Sequence, residues 1–133
     1  IEAGLMSYGN DFTKENNPIE CNLEKYCNNE SDHDFIGKNA LENIKKQGVK
    51  QKLKGVLFDG VDCPPCSIPF PLYSKDKKLI GKITSGIYSP KFKKNIGLSM
   101  ILNEFCKTGS EVLVHTPDNK LRKGIVSSLP FSK

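Results

Sequence analysis

Residues 111–116, Glu111-Val112-Leu113-Val114-His115-Thr116, and residues 121–128, Leu121-Arg122-Lys123-Gly124-Ile125-Val126-Ser127-Ser128, flank a four-residue break, Pro117-Asp118-Asn119-Lys120. Both runs carry β-branched and alternating apolar residues. Pro, Asp and Asn are residues that turns use, because proline presets φ and the short polar side chains bond to neighbouring backbone. The stretch therefore predicts a tight antiparallel hairpin. Working backward, residues 94–102, 78–85 and 54–59 have the same character and are separated by Gly, Pro, Asn and Asp. Several short strands at this spacing imply a small antiparallel barrel or sandwich rather than a parallel sheet.

The residues before Gly48 read differently. Glu2-Ala3-Gly4-Leu5-Met6 reads as the end of a helix, broken by the turn Tyr8-Gly9-Asn10-Asp11, and a polar loop follows through Pro18. Ile19, Leu23 and Tyr26 or Cys27 have helical spacing and predict a short amphipathic turn. In residues 37–47, Leu41 and Ile44 mark an apolar stripe, and Gly48 stops it. The expected fold is mainly β with an α-helical N-terminal arm. Residues 1–50 form the arm and residues 51–133 a small antiparallel β-barrel.

Composition narrows the function. At 133 residues the chain has the size of one domain, or of a small domain with an extra arm, and a large multidomain enzyme is excluded. No apolar run approaches the roughly 20 residues that span a bilayer, and the first residues lack the basic-then-apolar order of a signal peptide. The chain starts at Ile1 rather than Met, which leads us to expect a processed product or an incomplete reading frame, and Ile1 is not taken as a natural domain boundary. Its formal charge of +5 invites a nucleic-acid partner, but Arg122 is the only arginine. Base readout and bidentate phosphate contacts favour arginine, so Lys45, Lys46, Lys50, Lys52 and Lys54 are read as a solvated face.

Five cysteines cannot all pair within one chain, and reduced thiols in a cytoplasmic setting are expected. Cys63-Pro64-Pro65-Cys66 has redox or zinc spacing. A redox thiol needs a helix starting at the first cysteine, and Pro69 and Pro71 forbid one. Cys21, Cys27, His33, Cys106 and His115 offer no second close pair, so a loop with incidental thiols is expected. His33 and His115 lie beside no nucleophile signature, and no phosphate-binding loop is present.

Ordered motifs along nearly the whole chain carry a resemblance. Ile1-Glu2-Ala3-Gly4-Leu5-Met6-Ser7-Tyr8-Gly9-Asn10-Asp11, then Asn17-Pro18-Ile19-Glu20 and Asp34-Phe35-Ile36-Gly37, resemble the late helical segment of the glycine cleavage T-protein family. Ile80-Gly81-Lys82-Ile83-Thr84-Ser85-Gly86, Ser89-Pro90, Lys94-Asn95-Ile96-Gly97-Leu98 and the closing Leu129-Pro130-Phe131 resemble its C-terminal barrel. That family includes aminomethyltransferases, the folate domains of sarcosine and dimethylglycine dehydrogenases, and dimethylsulfoniopropionate demethylase. Asn17-Pro18-Ile19-Glu20-Cys21 and Ile87-Tyr88-Ser89-Pro90-Lys91-Phe92 look most like the demethylase branch, and Thr84-Ser85-Gly86 is closer to the glycine cleavage pattern. Ser67 departs from the family, standing near where many T-proteins carry an arginine.

The resemblance implies a three-domain ring with tetrahydrofolate in a central cavity, where a one-carbon unit passes to the folate from an aminomethyl-lipoyl carrier protein or a small sulfonium compound. Residues 1–50 would then end the folate-binding region. The family's principal catalytic aspartate lies in an N-terminal portion not found in these residues, so no catalytic residue is assigned and the chain alone is expected to be inactive. Its partners would be the missing N-terminal domains, folate and the donor, with no membrane. Tyr8 and Tyr26 either pack on the folate rings or fill a core. Asn10, Asp11 and Glu20 either bond ligand or brace their loop. Tyr88 and Ser89 lie near a domain interface or simply connect a strand to a turn. The alternative from another class is an autonomous β-barrel module that binds an anionic partner such as nucleic acid.

Overall fold

The computed structural model describes residues 1–27, 34–64 and 68–131. Six strands build it: β1 (Gln51–Phe58), β2 (Phe70–Ser74), β3 (Leu79–Ser89), β4 (Lys94–Leu102), β5 (Glu111–His115) and β6 (Leu121–Ser127). They close into a barrel in the order β1-β4-β3-β2-β5-β6, with β6 pairing back onto β1 and every pair antiparallel. Closure leaves little free sheet edge around the ring, which limits the usual site of unwanted strand pairing. The predicted hairpin is present: β5 and β6 pair, and Thr116 N–H bonds to the Lys120 carbonyl at 3.1 Å across the turn.

Alternation along the strands sorts two cores. Val56, Phe58, Leu72, Ile83, Ile101, Val112, Val114 and Val126 fill the barrel interior. Leu53, Ile96, Leu98 and Met100 point outward, where Cys21, Phe131 and partly buried Met6, Phe12 and Leu23 cover them. Covered on both faces, β4 is buried without interruption from Asn95 to Ile101. β6 by contrast exposes Leu121, Lys123 and Ile125. A strand buried on both sides reads as a continuous apolar run, and one facing water on one side reads as an alternation.

The arm is fastened to this outer wall. β6 pairs with β1 only from Gly55 to Phe58, leaving the first half of β1 open on that side. There the arm takes over: Leu53 N–H donates to the Glu20 carbonyl at 2.7 Å, and Asn22 Nδ2 donates to the Leu53 carbonyl at 2.6 Å. Gly55 lets the tail close from the other direction. A Cβ at that position would stand 2.6 Å from the Phe131 ring, so only a hydrogen admits the aromatic against the strand.

Among the described residues, regular helix in the arm is confined to α1 (Lys38–Gln47), stopped by Gly48 at φ 77°, and a 3-10 turn at Glu24–Tyr26. Residues 2–6, expected as a helix end, instead make a turn with Gly4 at φ +73°. Glycine takes that positive φ without strain, and a Cβ there would also stand 3.3 Å from Leu129 Cβ and from Pro130 Cα. The amphipathic turn expected around Ile19 is a run of turns that buries Ile19 and exposes Tyr26. One strand was not expected: β2 contains Pro71 and follows Pro69.

Candidate functional site

Residues 7–12 form a tight loop whose tip is Tyr8-Gly9-Asn10. Gly9 N–H bonds to the Phe12 carbonyl at 2.8 Å, and Asp11 N–H to the Ser7 carbonyl at 2.9 Å. The Tyr8 ring stands edge-on to Phe12 at 5.5 Å, yet remains 65% exposed. Asn10 is exposed as well.

Asp11 is buried at 4% exposure. Its Oδ1 accepts from Thr84 Oγ1 at 2.5 Å and Ser85 Oγ at 2.6 Å, and its Oδ2 accepts from Ser7 N–H at 2.7 Å. Two successive residues of a regular strand face opposite sides, so one carboxylate oxygen cannot ordinarily meet both. Here β3 carries a bulge between Ile83 and Ser85: Ile83 pairs with Ser99 on the barrel interior, and Ser85 with Leu98 on the outer wall. The extra residue, Thr84, brings both hydroxyls outward. Thr84 Oγ1 also lies 3.2 Å from the Leu98 carbonyl, but its single proton goes to the nearer and charged acceptor.

Glu20 is consumed in the same manner. Its carboxylate accepts from Asn16 Nδ2 at 2.9 Å, Asn17 Nδ2 at 3.2 Å and Gln51 Nε2 at 3.2 Å. Asp11 and Glu20 thus each hydrogen-bond both within the arm and to the barrel. Between arm and barrel lies a cleft of about 640 Å³, with Asn10, Asp11, Phe12, Asn16, Gln51 and Lys82 among the residues that line it.

Of the expected site residues, Asn10 and Asp11 line this cleft, and Tyr8, Glu20, Tyr26, Tyr88 and Ser89 do not. Tyr26 is exposed beside Lys25, whose ammonium sits 4.9 Å from the ring centroid. Tyr88 is half-buried and pairs with Asn95 across β3 and β4. Ser89 is buried, donates to a Glu2 carboxylate oxygen and accepts from Phe92 N–H at 3.3 Å. Thr84, Ser85, Gln51 and Glu2 were absent from the expected site residues. Hydroxyl and amide side chains give no local signal of partners more than 30 residues away.

Among the described residues no cluster of three or more His, Cys, Asp or Glu is placed to hold a metal, and no helix is long and apolar enough to cross a membrane. Cys63 is buried, and that burial pushes its thiol up against a smaller opposing pull from Arg122. Cys66, Ser67 and His33 lie outside the described residues.

Fold and site together define a small antiparallel barrel module that carries a preceding arm bonded along its outer wall. This chain belongs to the glycine cleavage T-protein C-terminal barrel domain family, which matches residues 56–133. Dimethylsulfoniopropionate demethylase DmdA of Ruegeria pomeroyi is 40% identical over 118 residues, covering 89% of this chain and 31% of that protein. An aminomethyltransferase of Bacillus velezensis is 37% identical, covering 100% of this chain and 35% of that enzyme. The crystal structure of glycine cleavage system aminomethyltransferase T from Bartonella henselae superposes with a TM-score of 0.84 at 26% identity, over 98% of this chain and 36% of that one. The chain thus spans about a third of the length of these relatives.

Proposed function

We propose that the chain is the C-terminal third of a tetrahydrofolate-dependent one-carbon transferase, and that it is inactive by itself. One observation carries this reading: the alignment with the aminomethyltransferase runs along the entire chain, arm included, while occupying 35% of that enzyme. In this reading residues 1–50 complete the folate-binding region and residues 51–133 are the barrel domain, in a cytoplasmic enzyme.

The surface of the arm supports the reading. Leu5, Tyr8, Tyr26, Phe35 and Ile36 are exposed, and α1 has no buried residue despite the apolar stripe of Leu41 and Ile44. Val61, Ile68, Leu79, Ile87, Leu121 and Ile125 are exposed on the barrel as well, and exposed apolar surface of this kind fits contact with the remaining domains of the same enzyme.

Tetrahydrofolate supplies, when bound, the nitrogen that receives the one-carbon unit. The residues present fit one wall for it. Tyr8 offers an exposed aromatic face backed by Phe12, and the exposed Asn10 carries an amide for the polar edge of a pterin. Asp11 and Glu20 hold that wall in place rather than meeting the ligand. These residues bind and orient, and rate enhancement would come from proximity and from a carboxylate in the rest of the enzyme. The 40% identity to the demethylase favours a small sulfonium donor over an aminomethyl-lipoyl carrier.

Calorimetric titration with tetrahydrofolate tests the proposal on two proteins, these 133 residues and the full reading frame that contains them. The full enzyme should bind with Kd of roughly micromolar order and the chain alone at least about a hundredfold more weakly, because one wall buries too little of the ligand. Micromolar binding by the chain alone would overturn the reading, as would a full reading frame no longer than these residues.

A further inference from the structure

We propose that Asp11 is a positioning residue: with Thr84 and Ser85 it locks the Tyr8-Gly9-Asn10 turn to the barrel, so that ligand binding at the turn depends on three side chains that do not touch the ligand. The inference rests on the functional reading above and deepens it, because it makes the barrel responsible for the shape of the folate wall.

The geometry carries it. Asp11 joins two parts of the chain 73 and 74 residues apart, and each of its oxygens already has a partner. Oδ2 holds the Ser7 amide, so one carboxylate ties the start of the loop to β3 and closes the turn that presents Tyr8 and Asn10. The bulge at Thr84 is what makes two adjacent hydroxyls available. Gly97, across from the bulge, is part of the same device: a Cβ there would stand 2.7 Å from Ile83 Cγ2 and 3.0 Å from the Ser85 carbonyl oxygen. A side chain at that position would push β3 away and separate the hydroxyls from Asp11.

Asp11→Asn keeps the size of the side chain but removes its charge: an amide NH2 turned to the Ser7 N–H sets donor against donor, and turned to Thr84 and Ser85 it replaces two charge-assisted bonds with weaker neutral ones in which the hydroxyls accept. Thr84→Val with Ser85→Ala removes both hydroxyl donors and leaves the carboxylate buried with unfilled acceptor sites.

The test uses the full-length enzyme and measures tetrahydrofolate affinity for Asp11→Asn, Tyr8→Ala and the double variant. Each single substitution should weaken binding by about tenfold, the size expected for losing a charge-assisted hydrogen bond or a stacked ring. The double variant should be no weaker than the worse single one, since a misplaced Tyr8 has little left to lose. Asp11→Glu, which restores the acceptor, should recover part of the affinity. Losses that multiply would show that Asp11 acts independently of the turn and overturn the proposal. Amide hydrogen exchange on the 133-residue chain gives a readout without folate. Protection of Gly9 and Asp11 should fall in the Thr84→Val/Ser85→Ala variant while barrel protection persists. Unchanged protection overturns the lock itself, and a wild-type enzyme that binds no folate overturns the functional reading while exchange still reports the lock.

Discussion

Asn95→Ala separates a buried polar tie from ordinary packing. Asn95 is the second residue of β4 and faces the barrel interior at 1% exposure. Its Oδ1 accepts from Cys63 N–H at 2.7 Å, and its Nδ2 donates to the Val61 carbonyl at 3.0 Å. The two losses are unequal. Cys63 is itself buried and would lose its acceptor, a penalty of about 1–3 kcal/mol for an unsatisfied buried donor. Val61 keeps a second donor, Arg122 Nη1 at 2.6 Å, so only the net value of one bond, about 1 kcal/mol, is lost there. The sum is about 2–4 kcal/mol, or a fall in Tm on the order of 10 °C for a domain of this size. Arg122→Ala has the complementary effect, leaving the Val61 carbonyl to Asn95. The double variant leaves the Val61 carbonyl, on a residue 73% exposed, to water, so its cost should lie close to the sum of the two singles. Urea unfolding followed by far-ultraviolet circular dichroism measures all three. A loss below about 0.5 kcal/mol for Asn95→Ala would refute the reasoning, because it would mean that relaxation or water replaces the acceptor of the buried Cys63 N–H.

Gly81→Ala should be among the costlier glycine substitutions in the barrel. The added Cβ would stand 2.3 Å from the Met100 carbonyl oxygen, a backbone atom held in the β4 ladder, and about 2 kcal/mol or more of stability should be lost in a thermal melt. Gly109→Ala, with no atom within 4 Å but φ at +92°, should cost only about 1–2 kcal/mol. Asp118 is held below the usual carboxylate range first by the Thr116 hydroxyl and then by the Arg122 guanidinium. A depressed folded-state value means its contribution is present above the unfolded-state value, about 3.9, and is lost as pH falls through the folded one. Carboxyl-carbon NMR should therefore show Asp118 titrating below an ordinary aspartate, and Arg122→Ala should move it up.

The sequence by itself determined the parts of this protein that rest on near neighbours. The β5–β6 hairpin, the limits of β4 and the stop of α1 at Gly48 follow from alternation, turn residues and a glycine at positive φ, all readable within a dozen positions. β2 escaped because Pro69 and Pro71 read as breakers. The strand tolerates Pro71 where only β3 pairs with it, before β5 joins at Leu72. Asp11 and Glu20 left two roles open, ligand or brace, and nothing near them in the chain could choose. Only the tertiary structure shows their distant partners, Thr84 and Ser85 for Asp11 and Gln51 for Glu20. The bulge at Thr84 is a property of β3 against β4, and the open half of β1 exists only because β6 pairs no further than Gly55. Both arise from strand register across the closed barrel, and register gives each carboxylate its distant partners because it sets which distant side chains share a face.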